Sequence, residues 1–452
     1  MPRPLLPLLL LSFLFPCPRV PAQTGFALSG RVNKQLQQRV EFGEVWSQAT
    51  VGFALYDLAS GNYLYGHNAN RHFVPASNMK LLTFYLANHV LGHRTPAVFY
   101  QEYPDRIDVW GSGYPLLRHP LFDGLDELTP WVYERDRPLV FHLPPEDRVP
   151  RYGAGWSYDD YPYGFVYERS ALPVFGNRLY VDEGPATPEG MPTVEGSPIA
   201  VLNRMQFDPT HEGGPRRQEY GNDFRYGPES FELRRLPVQR ALHLTDSLTA
   251  ELLREALPER DIRPGNRPRP PLRNLNYLEV SVPDTVYRRL LSDSDNFLAE
   301  QLLIQSAARR YGTLEEERIL EYAVDTLLAP LNLGDLSWRD ASGLTRYNLL
   351  TPDQLARIFL ELEGQVGRER LTDLLAAGGR RGTLLRRFAD RPEPYVWAKT
   401  GSLSGVHAIT GMLRTDRGQW LVFSLLVNNY VGRSRELYDA VDELARYLRV
   451  TL

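Results

Sequence analysis

Near the start of the chain, apolar and polar residues alternate as they do in β-strands. The segment from Thr50 to Gly66 keeps this period on both sides of the turn Ala59-Ser60-Gly61-Asn62, which predicts a β-hairpin. After Pro75 the pattern becomes a nearly continuous apolar run from Met79 to Leu86. We expect a helix there, and because it is apolar on almost every side, we expect it at the centre of the core.

The C-terminal part of the chain has first helical and then strand periodicity. Helices are predicted at Val286–Leu291, Phe297–Tyr311, Thr313–Leu328, Pro352–Leu362 and Arg368–Ala377. Strands are predicted at Tyr395–Lys399, Ala408–Leu413 and Leu421–Asn428, followed by a last helix at Ser434–Leu448. Strands near both ends of the chain favour one antiparallel sheet with helices packed on it, which is an α+β fold.

The middle of the chain, from about residue 98 to 275, has a different character. It is rich in Pro, Gly, Tyr and Arg, and the segments with a strand-like pattern are short. One helix is predicted, at Leu244–Leu257. We interpret this stretch as material inserted into the α+β domain.

The first 22 residues have the pattern of an export signal. Arg3 precedes an apolar run from Leu5 to Phe15, and small residues precede Gln23, where the mature chain is expected to begin. The only cysteine, Cys17, would be removed with the signal, so thiol catalysis is excluded from the mature protein. Lipidation of Cys17 is an alternative, but Pro16 stands where a small residue is usual.

Overall composition is that of a folded globular protein and excludes several classes of function. The chain has 452 residues, 43% of them hydrophobic, and a formal charge of −4. A nucleic-acid-binding protein would need a basic face to replace phosphate counterions, so we expect no nucleic-acid partner. After the signal, no run reaches the ~18 apolar residues of a membrane span, so we expect no integral membrane segment in the mature protein.

Lysine is rare in this chain, and its positions draw attention to one short motif. Of 51 basic residues only Lys34, Lys80 and Lys399 are lysines. Arginine keeps its proton, whereas a buried lysine can lose it and act as a base. Lys80 follows Ser77 by three residues, so on a helix its amine can reach the serine hydroxyl. This spacing is a candidate pair of nucleophile and base.

Two further motifs are modest when each is taken alone. Ser294-Asp295-Asn296 precedes a predicted helix, and its residue types are also those of an ordinary helix cap. Lys399-Thr400-Gly401-Ser402 ends a predicted strand, where Gly401 leaves room for a substrate backbone and Lys399 supplies positive charge. A plain junction between strand and turn has the same composition.

In this order, S-x-x-K, S-D-N and K-T-G resemble the signature of penicillin-binding proteins and serine β-lactamases. Two further features are similar to one family within this group. They are the separation of Lys80 from Ser294 by 213 residues, and the blocks Asp340–Arg346 and Gly155–Tyr161. That family is the D-alanyl-D-alanine carboxypeptidase/endopeptidase family, the low-molecular-mass class C penicillin-binding proteins, which carry two domains between the first two motifs.

The resemblance implies a division of the chain into domains. Residues 23–97 and 276–452 would form a β-lactamase/transpeptidase-like domain with an antiparallel sheet and helices. Residues 98–170 and 240–275 would form one inserted domain, and residues 171–239 a second, both rich in β and irregular structure. We expect the second inserted domain to be remote from Ser77.

The resemblance also implies acyl transfer without metal or cofactor. Ser77 would attack the carbonyl between two D-amino acids, with Lys80 as base, and Ser294 would pass the proton to the departing amine. Asn296 would hold the substrate amide. The terminal carboxylate of the substrate would be bound by Lys399, Thr400 and Ser402.

A side-chain pocket for the stem peptide follows from the same resemblance. Arg346 would bind a carboxylate and Asp160 an ammonium group, as a diaminopimelate end requires, and Leu344 would form the apolar wall. Asp159 is the alternative to Asp160. The expected partners are peptidoglycan peptides and β-lactam antibiotics, and the expected location is the periplasm or the cell wall.

Two other functions remain open from the sequence. A serine β-lactamase shares the three motifs, but the long insertion and the Ser342–Arg346 block disfavour it. A penicillin sensor without catalysis is the second alternative, and the presence of every catalytic group disfavours it. The sequence does not decide between carboxypeptidase and endopeptidase activity.

Overall fold

A computed structural model of the chain describes residues 27–144, 149–188, 190–232 and 236–452. The expected export signal and Cys17 lie outside the described residues. In the part of the chain that is described, no helix has the length and apolar character needed to cross a membrane.

The described residues contain twelve α-helices, and their bounds follow in chain order. They are α1 (Gly30–Val40), α2 (Met79–Val90), α3 (Leu128–Tyr133), α4 (Ile199–Leu202), α5 (Glu229–Glu232), α6 (Asp246–Ala256), α7 (Asp284–Ser292), α8 (Asn296–Tyr311), α9 (Glu316–Tyr322), α10 (Pro352–Val366), α11 (Arg368–Leu374) and α12 (Ser434–Thr451).

The same residues contain seventeen strands. They are β1 (Thr50–Asp57), β2 (Tyr63–His67), β3 (Arg94–Glu102), β4 (Ile107–Gly111), β5 (Leu139–His142), β6 (Arg178–Gly184), β7 (Thr193–Ser197), β8 (Gln206–Phe207), β9 (Arg216–Arg217), β10 (Phe224–Tyr226), β11 (Val238–Ala241), β12 (Ile262–Gly265), β13 (Asn276–Ser281), β14 (Ala376–Ala377), β15 (Val396–Leu403), β16 (Val406–Arg414) and β17 (Trp420–Asn428).

The largest sheet joins the two ends of the chain. Its six strands have the order β14-β15-β16-β17-β1-β2, and every pairing is antiparallel. Strands β1 and β17 pair along their whole length, from Thr50 opposite Asn428 to Asp57 opposite Leu421. The predicted hairpin is β1–β2. The α+β class and the sheet built from both ends are therefore confirmed.

Helices cover both faces of this sheet, so its central strands are buried on both sides. On β1, Phe53 and Leu55 belong to the apolar layer that includes α1 and α12, and Ala54 and Tyr56 belong to the layer of α2, α8 and α10. Nine of the twelve residues of α2 are buried, as its apolar sequence predicts. One of these nine is Lys80.

Three smaller sheets lie in the middle of the chain. Five strands have the order β12-β5-β4-β3-β13, and two three-stranded sheets have the orders β11-β6-β7 and β8-β10-β9. The expected domain boundaries at 97/98 and 275/276 stay predictions, and both fall at strands of the first of these sheets. The first boundary falls within β3, so that residues 98–102 of β3 are assigned to a different domain from β13. Strand β13 pairs with β3 from Asn276 to Ser281. Backbone pairing places both strands in this five-stranded sheet.

Candidate active site

Ser77 lies on the turn that leads into the central helix. Residues Ala76–Asn78 form a 3-10 turn, and α2 begins at Met79. The preceding Ala76 has φ 46°, a left-handed backbone conformation that is rare for a residue with a side chain and is typically kept where function needs it. One turn later, the amine of Lys80 lies 2.9 Å from the Ser77 hydroxyl oxygen.

The amine of Lys80 is enclosed by three oxygen atoms. Besides Ser77, it donates to Asn296 Oδ1 at 2.5 Å and to the carbonyl oxygen of Ser342 at 2.6 Å. Lys80 is fully buried. Burial lowers its pKa to about 8, against the opposing effect of the acids Asp340, Glu300 and Asp295.

Two buried carboxylates hold the turn that presents Ser342 to this lysine. Glu300 accepts hydrogen bonds from the N–H groups of Ala341 at 3.1 Å and Ser342 at 2.8 Å. Asp340 accepts from the Gly343 N–H at 2.8 Å. Burial and the neighbouring Asp340 raise the pKa of Glu300 to about 7. The acids thus fix the Ser342 carbonyl and also surround Lys80 with negative charge.

Ser294 and Lys399 form a second pair close to the first. The amine of Lys399 donates to Ser294 Oγ at 2.9 Å and to the carbonyl oxygen of Thr400 at 2.6 Å. Burial and the charge of Lys80 both lower the pKa of Lys399 well below its usual value. Ser294 has φ 65°, so each of the two candidate serines lies at or beside a left-handed residue.

Strand β15 passes directly beside the Ser77 turn. A Cβ atom at Gly401 would lie 2.7 Å from the Ser77 backbone nitrogen. The Thr400 hydroxyl donates to the Thr383 hydroxyl at 2.7 Å. The Ser402 hydroxyl lies 3.3 Å from His407 Nδ1 and 3.4 Å from the Tyr438 hydroxyl, and its hydrogen bonds join it to β16 and α12 rather than to Lys399.

The middle of the chain contacts the S-D-N motif through two residues, one of them in the segment 171–239 that is expected to be remote from Ser77. Asn296 Nδ2 donates to the carbonyl oxygen of Phe165 at 2.8 Å. Arg178, on β6, donates to Asp295 Oδ2 at 3.3 Å, and both side chains are buried. Burial raises the pKa of Asp295, but Arg178, the Leu298 N–H and other neighbours together outweigh burial and hold this pKa below its usual value.

The residues of the expected stem-peptide pocket lie on two segments that touch. Trp156 donates from Nε1 to Asp340 Oδ2 at 2.8 Å, which joins the segment of Asp160 to that of Leu344 and Arg346. Asp160 lies on a 3-10 turn, and burial and Asp159 raise its pKa. Arg346 is exposed and donates to the Ser404 carbonyl oxygen at 2.6 Å. Asp160 and Arg346 form no ion pair with each other.

Sequence reasoning assigned no role to Glu300, Asp340, Arg178 or Phe165. An acid within the apolar helix that follows Ser294 is a signal that could have identified Glu300. Phe165 contributes its backbone carbonyl oxygen. Every residue has this group, so the sequence could not have indicated its role. Arg178 is one of many arginines and becomes distinctive only through its burial.

Comparison with protein families gives one match that covers more than half of the chain. The D-Ala-D-Ala carboxypeptidase 3 (S13) family matches residues 32–97 and 235–448. Penicillin-sensitive carboxypeptidase A of Dictyostelium discoideum is 31% identical over 166 residues, which are 34% of this chain and 31% of that protein. This chain therefore aligns with about a third of that relative's length.

Two other proteins are similar over most of the chain. The D-alanyl-D-alanine carboxypeptidase of Actinomadura sp. (strain R39) is 27% identical over 443 residues, 85% of this chain and 78% of that protein. The crystal structure of penicillin binding protein 4 (dacB) from Haemophilus influenzae superposes with a TM-score of 0.69 at 19% identity, covering 92% of this chain and 99% of that one. A second structure of it, complexed with a β-lactam, has a TM-score of 0.65.

The close passage of β15 beside the Ser77 turn predicts that Gly401→Ala disrupts the site. The new methyl group would also lie 3.0 Å from Ala76 Cβ and from the Pro75 carbonyl oxygen, and these atoms cannot yield as a flexible side chain does. We expect covalent labelling by penicillin to slow by at least about tenfold, measured by mass spectrometry of the intact protein. Gly364→Ala in α10, where the added carbon meets no atom within 4 Å, is the matched control. Unchanged labelling of Gly401→Ala would contradict the geometry.

Proposed function

This chain belongs to the D-Ala-D-Ala carboxypeptidase 3 (S13) family, and from that premise we propose that it hydrolyses D-Ala-D-Ala peptides through an acyl-enzyme on Ser77. The observation that carries the proposal is the buried Lys80 amine, 2.9 Å from the Ser77 hydroxyl oxygen. A serine beside a lysine that can become neutral is an activated nucleophile.

The hydrogen bonds of Lys80 suit the neutral form of a base. A neutral amine has two N–H bonds and one lone pair. Asn296 Oδ1 and the Ser342 carbonyl oxygen accept the two N–H bonds, so the lone pair remains for the Ser77 hydroxyl proton. With a pKa of about 8, part of the lysine is neutral at pH 7.

In the proposed reaction, Lys80 takes the Ser77 proton as Oγ bonds to the carbonyl carbon of the penultimate D-alanine. The bond from that carbon to the terminal nitrogen breaks, and the departing amine receives a proton through Ser294. Water then attacks the ester and regenerates the Ser77 hydroxyl. Backbone N–H groups of Ser77 and Ser402 are proposed to stabilise the oxyanion, which the close approach of β15 to the Ser77 nitrogen supports.

Substrate recognition is proposed to use β15 and the side chains near it. Lys399, Thr400 and Ser402 would bind the terminal carboxylate of the peptide, and Asn296 would hold the amide before the scissile bond. β-Lactams resemble the D-Ala-D-Ala unit and would acylate the same serine. The substrates would be peptidoglycan stem peptides, and the protein would be exported to the periplasm or cell wall, as the leader sequence predicts.

A serine β-lactamase is the weaker alternative. Fast hydrolysis of a β-lactam needs a group that activates water at the acyl-enzyme. The buried Glu300 is bonded to the N–H groups of Ala341 and Ser342 and to Arg169 at 3.2 Å. Its role is to position the Ser342 turn, and we assign it no part in activating water.

Substitution of the nucleophile and the base tests the proposal. Ser77→Ala should abolish the mass increase that penicillin produces and the release of D-alanine from a pentapeptide. Lys80→Arg should slow acylation by about 10²–10⁴-fold, because a guanidinium keeps its proton. Lys34→Arg, which changes an exposed lysine in α1, is the matched control and should behave as wild type. Labelling of Ser77→Ala at another residue would disprove the mechanism.

The lowered pKa of Lys80 predicts the pH dependence of acylation. The amine is a base only when neutral, and protonation dominates below its pKa of about 8. The rate of acylation by penicillin should therefore rise about tenfold per pH unit below pH 7 and level off above about pH 8. Stopped-flow acylation between pH 5 and pH 10 measures this profile. A rate that is flat or falls with increasing pH would show that Lys80 is not the base.

The proposed stem-peptide pocket predicts a difference between substrates. Arg346→Ala and Asp160→Ala should slow cleavage of peptides with diaminopimelate by at least about tenfold, because each loses a charged partner for one end of that residue. Acylation by benzylpenicillin, which lacks that end, should change little. Asp159→Ala tests the alternative acid, and a loss with Asp159→Ala in place of Asp160→Ala would move the assignment to Asp159. Equal losses with both substrates would disprove the pocket.

A further inference from the structure

His407 is a buried histidine to which the proposed mechanism gives no role. It lies on β16 directly opposite Ser402 of β15, and it is only 1% exposed. Residues that pair directly across two antiparallel strands have their side chains on the same face of the sheet. The ring therefore meets the serine, and His407 Nδ1 lies 3.3 Å from Ser402 Oγ. A titratable group is thus in contact with a residue that is proposed to bind the substrate.

Arg387 decides which nitrogen of this ring carries the proton. Arg387 Nη1 lies 3.4 Å from His407 Nε2. A guanidinium has N–H donors and no acceptor, so Nε2 must accept, and the hydrogen of the neutral ring is on Nδ1, which faces Ser402. Burial and the charge of Arg387 lower the pKa of His407 to about 3, against the opposing effect of the Gly401 carbonyl oxygen. The ring is therefore neutral at pH 7.

Helix α12 holds Arg387 in this position. The Nε and Nη2 atoms of Arg387 donate to Asp442 Oδ1 at 2.9 and 2.6 Å, and Nη2 also donates to the Tyr438 carbonyl oxygen at 3.2 Å. The guanidinium carbon lies 4.7 Å from the centre of the Tyr438 ring. Asp442 balances the charge of Arg387, while Nη1 points at His407. A continuous chain of hydrogen bonds thus runs from Asp442 to Ser402.

This chain determines what the Ser402 hydroxyl can do. A serine hydroxyl has one hydrogen and two lone pairs. Because His407 Nδ1 donates, it occupies a lone pair of Ser402 and leaves the hydroxyl hydrogen available. The Tyr438 hydroxyl, at 3.4 Å, can donate to the second lone pair. Ser402 is exposed, and a carboxylate only accepts hydrogen bonds, so a neighbour that donates to this serine favours its binding to a carboxylate.

On the basis of the function proposed above, we propose that His407 is a positioning residue that directs the Ser402 hydroxyl hydrogen to the terminal carboxylate of the peptide. Arg387 sets the tautomer that this role requires, and Asp442 holds Arg387. The effect of His407 falls on recognition of the free carboxylate and not on the chemistry at Ser77. The chain of residues from α12 to β15 thereby makes the enzyme selective for peptides whose last residue is a free acid.

The experiment uses the full-length enzyme with a peptide ending in D-Ala-D-Ala and with the same peptide as its C-terminal amide. A Gln side chain places its amide where Nε2 lies, and an Asn side chain places it where Nδ1 lies. His407→Gln should therefore lower kcat/KM for the free acid by about tenfold or more and leave the amide peptide within about twofold of wild type. His407→Asn keeps a donor beside Ser402 and should stay within about threefold with both peptides. His89→Gln, at an exposed position in the last turn of α2, is the control and should change neither rate.

A second measurement removes the hydroxyl itself. In a Ser402→Ala background, His407→Gln should cause no further loss with the free acid, because the group through which His407 acts is absent. His407→Leu takes the place of His407→Gln if thermal unfolding shows that the Gln variant does not fold.

Equal losses with both peptides, no loss with the free acid, or a full further loss in the Ser402→Ala background would overturn the inference. Wild-type enzyme that cleaves the amide peptide as fast as the free acid would also overturn it, while leaving the proposed hydrolysis intact. Wild-type enzyme that cleaves neither peptide would instead disprove the function on which the inference rests.

Discussion

The amine of Lys80 is out of contact with solvent, and a buried amine is stable only if its hydrogens find acceptors. The acceptors come from separate parts of the chain: Ser77 from the turn before α2, Asn296 from the start of α8 and Ser342 from the turn that follows Asp340. These elements must therefore pack in one arrangement, and α2 and α8, each with about three quarters of its residues buried, provide the packing. Burial raises the free energy of the charged form of Lys80 and so lowers its pKa, which allows the neutral amine to act as a base.

Buried acids keep this arrangement in place. Glu300 and Asp340 bind the backbone of the turn that bears Ser342, and Arg169 pairs with Glu300 at 3.2 Å and with Glu316 at 2.5 Å. Removing one partner from a buried charged group leaves the other uncompensated, so these residues depend on one another. Because Arg169 lies in the middle of the chain, far in sequence from Glu300 and Glu316, the charge balance beneath the site joins distant segments.

Segments from the middle of the chain are thus a part of the site. Phe165 accepts from Asn296, and Arg178 pairs with Asp295, so two of the three residues of the S-D-N motif have a partner in inserted material. These contacts determine the orientation of Asn296, which also accepts from Lys80. The shape of the space next to Ser294 consequently depends on where the segment of Phe165 and the sheet β11-β6-β7 lie.

Much of the fold and the two lysines of the candidate site were predictable from the sequence. The period of apolar residues indicated the hairpin, the buried central helix and a sheet formed by both ends, since burial of apolar residues has a direct signal in the pattern. The rarity of lysine directed attention to Lys80 and Lys399, because the chemistry of a base excludes arginine. Only the tertiary structure decided that β13 pairs with β3, that the Phe165 carbonyl and Arg178 reach the S-D-N motif, and that Glu300 holds the turn of Ser342. Every residue has a backbone carbonyl and can pair in a strand, so no residue type in the sequence marks these contacts. The burial of Arg178 and of Glu300 depends on partners distant in the chain, more than a hundred residues away for Arg178 and about forty for Glu300.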